Sequence, residues 1–232
     1  MKNKLISVIV NVVICALVCC VCLVGFIGGE AEEVTAEDSG LYYRSSRPKG
    51  VSLMFNVYQN TSNVYSVLDI LDEYSAKATF FLGGCWADDN IDCVREIAAR
   101  GHAVGTHGYF HKDHSKMNHA QNLAEIRPSV KLLSAMLDRE ITLFAPPSGA
   151  YNDATLSAAA TLNLKTIMWS RDTIDWRDSD QSVFTERATK NLQNGEFILM
   201  HPMDVTVKAL PDVLSYLKKN GFAAVTVEEN LE

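Results

Sequence analysis

From Leu5 to Ile27 only Ser7, Asn11 and Gly25 interrupt an otherwise apolar run. That is long enough to cross a bilayer core, which takes ~20 apolar residues as a helix. Lys2 and Lys4 precede the run, while Glu30, Glu32 and Glu33 follow it. This asymmetry holds the N-terminus in the cytoplasm and places the rest outside. An uncleaved anchor is expected, because the apolar region of a cleaved signal peptide spans only ~7–15 residues. The alternative, a secreted form, has a weak cleavage site at Gly29-Glu30-Ala31. Residues 30–50 are acidic, then polar, lack apolar periodicity and end in Arg47-Pro48-Lys49-Gly50. They read as a stalk or linker. The expected organisation is therefore a membrane segment over 1–29, a stalk over 30–50 and one domain over 51–232.

From Val51 onward short apolar or β-branched runs alternate with helical patterns. Strands are predicted at Val51–Val57, Ala78–Leu82, Ala103–Thr106, Thr142–Phe144, Thr166–Trp169, Phe197–Met200 and Ala223–Val227. Between them, Val64, Val67, Leu68 and Leu71 share one helical face. So do Val130, Leu133 and Leu137, and later Leu210, Leu214 and Leu217, with Gly221 where the last helix should stop. Pro128 inside Gln121–Leu137 implies a kink or a late start. Alternating strands and helices with near-continuous apolar strands predict an α/β fold built on a parallel sheet or barrel. In such folds the chemistry sits at the C-terminal strand ends.

Composition changes this picture in two respects. The chain has 232 residues and a net charge of −7, and the two lysines before the apolar run make the remainder more acidic still. That balance excludes nucleic acid as the main partner, which requires a basic footprint. Of the six cysteines, Cys15, Cys19, Cys20 and Cys22 fall in the apolar run and read as membrane filler. Cys85 and Cys93 remain, eight apart, in a compartment that permits disulfides; a bridge and two buried thiols are both open readings.

Candidate chemistry concentrates at predicted strand ends. His102, His107, His111, His114 and His119 lie close together, and the pair His107 and His111 directly follows a strand. Imidazoles four apart can face one ion, and neutral imidazole suits Zn²⁺. Asp113 and His114 are reserve ligands. His201 ends the run Ile198–Met200 and is a candidate acid or base, its ordinary pKa lying nearest neutrality. Asp172, Asp175 and Trp176 follow another strand, and a carboxylate there could orient an imidazole. Phe144-Ala145-Pro146-Pro147-Ser148-Gly149-Ala150-Tyr151 is a stiff turn.

In their order along the chain these elements resemble the NodB-type polysaccharide deacetylases, the carbohydrate esterases of family four. The resemblance covers about residues 51–230. It implies a distorted, incomplete (β/α) barrel that removes acetyl groups from N-acetylglucosamine-containing cell-wall or related glycan, with a divalent metal, zinc being expected. His107 and His111 match the family's metal histidines, with Gly108 where Ser or Thr is usual. Asp175 and His201 match catalytic positions. Trp176, Leu199, Pro147 and Tyr151 fall where substrate is bound. The first motif departs: for Thr-Phe-Asp-Asp-Gly this chain has Met54-Phe55-Asn56-Val57-Tyr58. Asn56 stands where the general base belongs and cannot accept a proton; Val57 stands at a metal ligand's place and cannot coordinate one. The family's Arg before the two prolines is Ala145 here. The paired loss is coherent, since an Arg left beside a neutral side chain would be an unpaired charge in a cleft. Two readings follow: a divergent, anchored, monomeric deacetylase whose missing base is supplied by Asp113 or Asp172, or an inactive glycan-binding module on the same fold.

Overall fold

The computed structural model describes residues 40–232. The apolar run Leu5–Ile27, with its anchor reading, lies outside the described residues, among which no helix is long and apolar enough to cross a membrane. Eight strands form one parallel sheet: β1 (Leu41–Tyr42), β2 (Ser52–Val57), β3 (Ala78–Leu82), β4 (Ala103–Thr106), β5 (Leu143–Phe144), β6 (Lys165–Ile167), β7 (Arg171–Asp172) and β8 (Phe197–Met200). Their spatial order is β1-β6-β5-β4-β3-β2-β8-β7, a curled half-barrel with β1 and β7 at its edges. Helices α1 (Thr61–Glu73), α2 (Gly84–Asp89), α3 (Ile91–Ala99), α4 (His119–Leu137), α5 (Asp153–Thr161), α6 (Gln181–Thr189), α7 (Asp204–Lys219) and α8 (Val227–Leu231) complete the described elements, with short 3₁₀ turns at His114–Lys116 and Pro147–Gly149.

Strand side chains alternate between two faces, and the sheet separates two cores accordingly. Leu53, Phe55 and Val57 of β2 join Phe80, Leu82, Ile198 and Met200 in a core against the helices. Met54, Phe81, Leu143, Ala145, Phe197 and Leu199 fill the concave side. Phe55 and Phe80 stack at 5.0 Å on the helix side. Each such ring, fully buried, stabilises the fold by about 1.5–3 kcal/mol. The concave core stops at the C-terminal strand ends, where Asn56 follows Met54 on the same face. This alternation decides which residues reach the cleft.

Four expectations change. The stalk reading fails from residue 40 onward: β1 pairs with β6, Ser45 N donates to Gly195 O at 2.8 Å, and Lys49 N donates to Asn230 Oδ1 at 2.9 Å. A two-residue strand is too short to display a period. Gly195, with φ of 87°, lets the chain approach, since a Cβ there would lie 2.7 Å from Ser45 O. Ala223–Val227 is not a strand; one bridge joins Ala224 to Val51, after which Thr226 caps α8. Pro128 neither starts nor breaks α4; it and Ala124 face solvent, so the carbonyl that loses its helical partner is left on the exposed side. Cys85 and Cys93 are both free thiols. Cys93 is in the helix-side core, where burial pushes its thiol up to about 11, whereas Cys85 Sγ contacts Tyr58 Oη at 2.9 Å.

Candidate active site

A cleft of ≈ 500 Å³ opens at the C-terminal strand ends, with Asn56, His107, His111, Asp172, Trp176, Leu199 and His201 in its wall. Tyr58, Gln59, Ser148, Trp169, Pro202 and Met203 line it too, none of them singled out by the motif pattern. Tyr58, Ser148 and Pro202 each directly follow a motif residue in the chain, which is the signal that could have found them. Pro147 and Tyr151 do not line it. Pro147 is buried against Gly108, and Tyr151 Oη pairs with Tyr43 Oη at 2.7 Å, so the turn presents Ser148 instead.

His201 and Asp175 form the best-defined pair. Asp175 Oδ1 lies 2.7 Å from His201 Nδ1, and Oδ2 accepts from His201 N and Thr206 Oγ1, each at 2.6 Å. The carboxylate is wholly buried, so these donors are its surroundings. Their arrangement gives His201 a protonated Nδ1 and leaves Nε2 for the cleft. Between Asp172 and Asp175 lies Ile174, with φ of 56°, a costly conformation for a β-branched side chain. Asp172 Oδ1 holds it by accepting from Ile174 N at 2.8 Å.

His107 is buried, and its Nδ1 donates to Ala145 O at 2.7 Å, leaving the Nε2 lone pair free. Its ring lies 5.1 Å from that of His111, which also packs on Tyr58 at 5.0 Å. Burial, with the His111 charge adding, pushes the His107 imidazole down to about 3; desolvation also lowers His111. The loop returning from His111 is held by the buried face of α4. There Glu125 Oε1 accepts from Phe110 N at 2.5 Å, Asn122 Oδ1 accepts from His114 Nδ1 at 2.6 Å, and Ser129 Oγ contacts Thr106 Oγ1 at 2.7 Å. These polar contacts interrupt the apolar periodicity of α4, which hid them from sequence reading.

The reserve ligands are not brought to the pair. Asp113 is turned outward, accepting from Ser115 N and pairing with Lys116 at 2.8 Å, so it is neither ligand nor base. His114 is wholly buried beside Phe144, its Nε2 unpartnered and facing Gly108, where a Cβ would lie 3.1 Å away. Val57 belongs to the helix-side core. Asn56 Oδ1 is buried at the cleft without a partner, and Asn is a poor zinc ligand. A catalytic zinc needs three protein ligands. Among the described residues no group of three His, Cys, Asp or Glu is placed to hold a metal. The donor set is two imidazoles, which does not fit the family's metal centre.

The buried neutral histidines carry a pH prediction. His107 and His102, the latter pushed down by burial to about 4, are protonated in the unfolded chain near 6.5 but resist protonation when folded. Their stabilisation is complete above about pH 6.5 and is lost as pH falls toward the folded values, by up to about 1.4 kcal/mol per pH unit each. Urea midpoints should therefore fall between pH 7 and pH 5, above the carboxylate range; equal midpoints would contradict it.

The profile of the polysaccharide deacetylase family matches residues 43–167. The chain is 34% identical over 182 residues to the uncharacterized protein YlxY of Bacillus subtilis, covering 78% of this chain and 57% of that protein's length. It is 31% identical over 189 residues to a peptidoglycan-N-acetylglucosamine deacetylase of Bacillus cereus, covering 79% of this chain and 88% of that one. The crystal structure of BA3943 of Bacillus anthracis, described as a CE4 family pseudoenzyme, superposes with a TM-score of 0.80 at 30% identity over 83% of this chain and 69% of that one. The motif order, the half-barrel and these likenesses agree: the chain belongs to the polysaccharide deacetylase family.

Proposed function

We propose that this chain is a non-hydrolysing member of its family that holds N-acetylglucosamine-containing glycan at the outer face of the cell membrane, tethered by Leu5–Ile27. The reading is carried by the end of β2. Asn56 occupies the base's place without a proton-accepting carboxylate, and Val57 turns the ligand position toward the helices. The absence of a third ligand among the described residues supports it, as does likeness to a protein described as a pseudoenzyme. The remaining cleft suits a sugar chain. Trp176 is 57% exposed, and Trp169 and Tyr58 line the same cleft, giving apolar rings for pyranose stacking.

The oriented His201 favours a second reading, a slow deacetylase that keeps its proton donor. One experiment separates them. The purified domain is titrated calorimetrically with an N-acetylglucosamine tetramer while acetate is assayed with and without added zinc. Binding without acetate release is expected, with about tenfold weaker binding in Trp176→Ala, the loss of one aromatic contact. Zinc-dependent acetate release that disappears in His107→Ala would establish the hydrolase instead.

A further inference from the structure

We propose that the cleft prefers glycan whose amino groups are free, the de-N-acetylated strand, and that Asp172 recognises the ammonium. The inference rests on the glycan-binding reading above and names the form of glycan bound.

The charge of the cleft carries it. Among Asp, Glu, Lys and Arg side chains, Asp172 is the one in the cleft wall. Its Oδ1 is fixed by Ile174 N at 2.8 Å, and it makes no ion pair among the described residues. Neighbouring cations pair with other carboxylates, although the Arg177 guanidinium also lies over the Trp176 ring, 5.9 Å from its centroid. Arg171 Nε donates to Glu196 Oε2 at 2.7 Å, while Arg177 and Arg187 both pair with Asp178, at 2.7 Å each. Position 145, where the family resemblance expects an arginine, is a buried alanine whose carbonyl holds His107.

An acetyl carbonyl entering this cleft meets no arginine among the described lining residues, and only two imidazoles where the family's metal centre needs a third ligand. An ammonium meets a carboxylate and the rings of Trp169 and Tyr58, whose faces attract cations, while Arg177 already covers one face of Trp176. Leu199 remains in the wall to contact a methyl group, so N-acetylated strands still enter. The sign of the field around the sugar nitrogen is what differs. The strained Ile174 lies between this carboxylate and Asp175, so one short segment presents both groups.

The test compares the N-acetylglucosamine tetramer with the fully deacetylated glucosamine tetramer, by calorimetry at low salt and pH 6, where the amines are charged. Two variants accompany the parent chain. Asp172→Asn keeps an oxygen for Ile174 N, and Asp212→Asn removes the same charge from an exposed position on α7 outside the cleft. The deacetylated tetramer should bind about tenfold tighter to the parent, a modest ion pair plus ring contacts. Asp172→Asn should abolish the preference, so that the two tetramers bind within about twofold of each other; Asp212→Asn should change neither tetramer's binding. If the N-acetylated tetramer binds as tightly or tighter, the preference is refuted while the glycan reading stands. If neither tetramer binds, both fall. If the preference survives in Asp172→Asn, or is lost equally in Asp212→Asn, it reflects a polycation meeting an acidic chain, and the assignment to Asp172 is wrong.

Discussion

Val57→Asp is expected to destabilise the fold by about 4 kcal/mol or more and to add no metal affinity, although it writes back one carboxylate that the family's first motif requires. The reason lies in the register of β2. Val57 pairs with Leu82 of β3, its carbonyl accepts from Gly83 N at 2.9 Å, and its fully buried side chain joins the helix-side core with Val64 and Val67. A carboxylate there replaces apolar contacts with an unpaired charge lacking any donor, among the most damaging single changes known for a core. Asn56→Asp alters the concave face instead and should be far milder. Urea unfolding of both variants, with zinc titration, separates the cases. A Val57→Asp protein as stable as its parent and binding zinc stoichiometrically would show that the strand end can turn inward.

Asp175→Ala should cost about 3–5 kcal/mol, the second large effect. Three donors converge on that buried carboxylate: His201 N, His201 Nδ1 and Thr206 Oγ1. Removing it strands buried donors, and hydrogen bonds to a charged group are each worth about 1.5–3 kcal/mol. Asn is a poor substitute, because its amide nitrogen would face a donor. The site should feel the change as well. In the parent chain, nitrogen NMR should find His201 protonated at Nδ1 and slow to exchange the proton; in Asp175→Ala that protection should vanish. A stability loss without any change at His201 would make Asp175 a packing residue and remove the support for an oriented imidazole.

Much of the half-barrel was legible because its signal is local. Val64, Val67, Leu68 and Leu71 announce α1 by spacing, and all four are buried. The long apolar runs at Phe197–Met200 and Ala78–Leu82 announce strands covered on both faces. What escaped was short or non-periodic. β1 and β7 have two residues each and owe their existence to partners far along the chain. The polar buried face of α4 answers to the loop it supports, not to apolar spacing. The disulfide question turned on the direction of two side chains, one into the core and one toward Tyr58, which spacing cannot supply.

The same division holds at the site. Sequence alone determined the chemical inventory: a retained His107, His111, Asp175 and His201, and a lost pair of carboxylates with the arginine that would accompany them. Composition is a property of the chain and needs no fold to read. Only the tertiary structure decided what the inventory amounts to. Asp113 and His114 are near neighbours of His111 in sequence, yet the turn at His114–Lys116 sends one to solvent and the other beneath Gly108. Asn56 and Val57 are adjacent, yet strand pleating puts them on opposite faces. A ligand set is a matter of directions converging within a few ångströms, and directions are set by packing between segments distant in the chain.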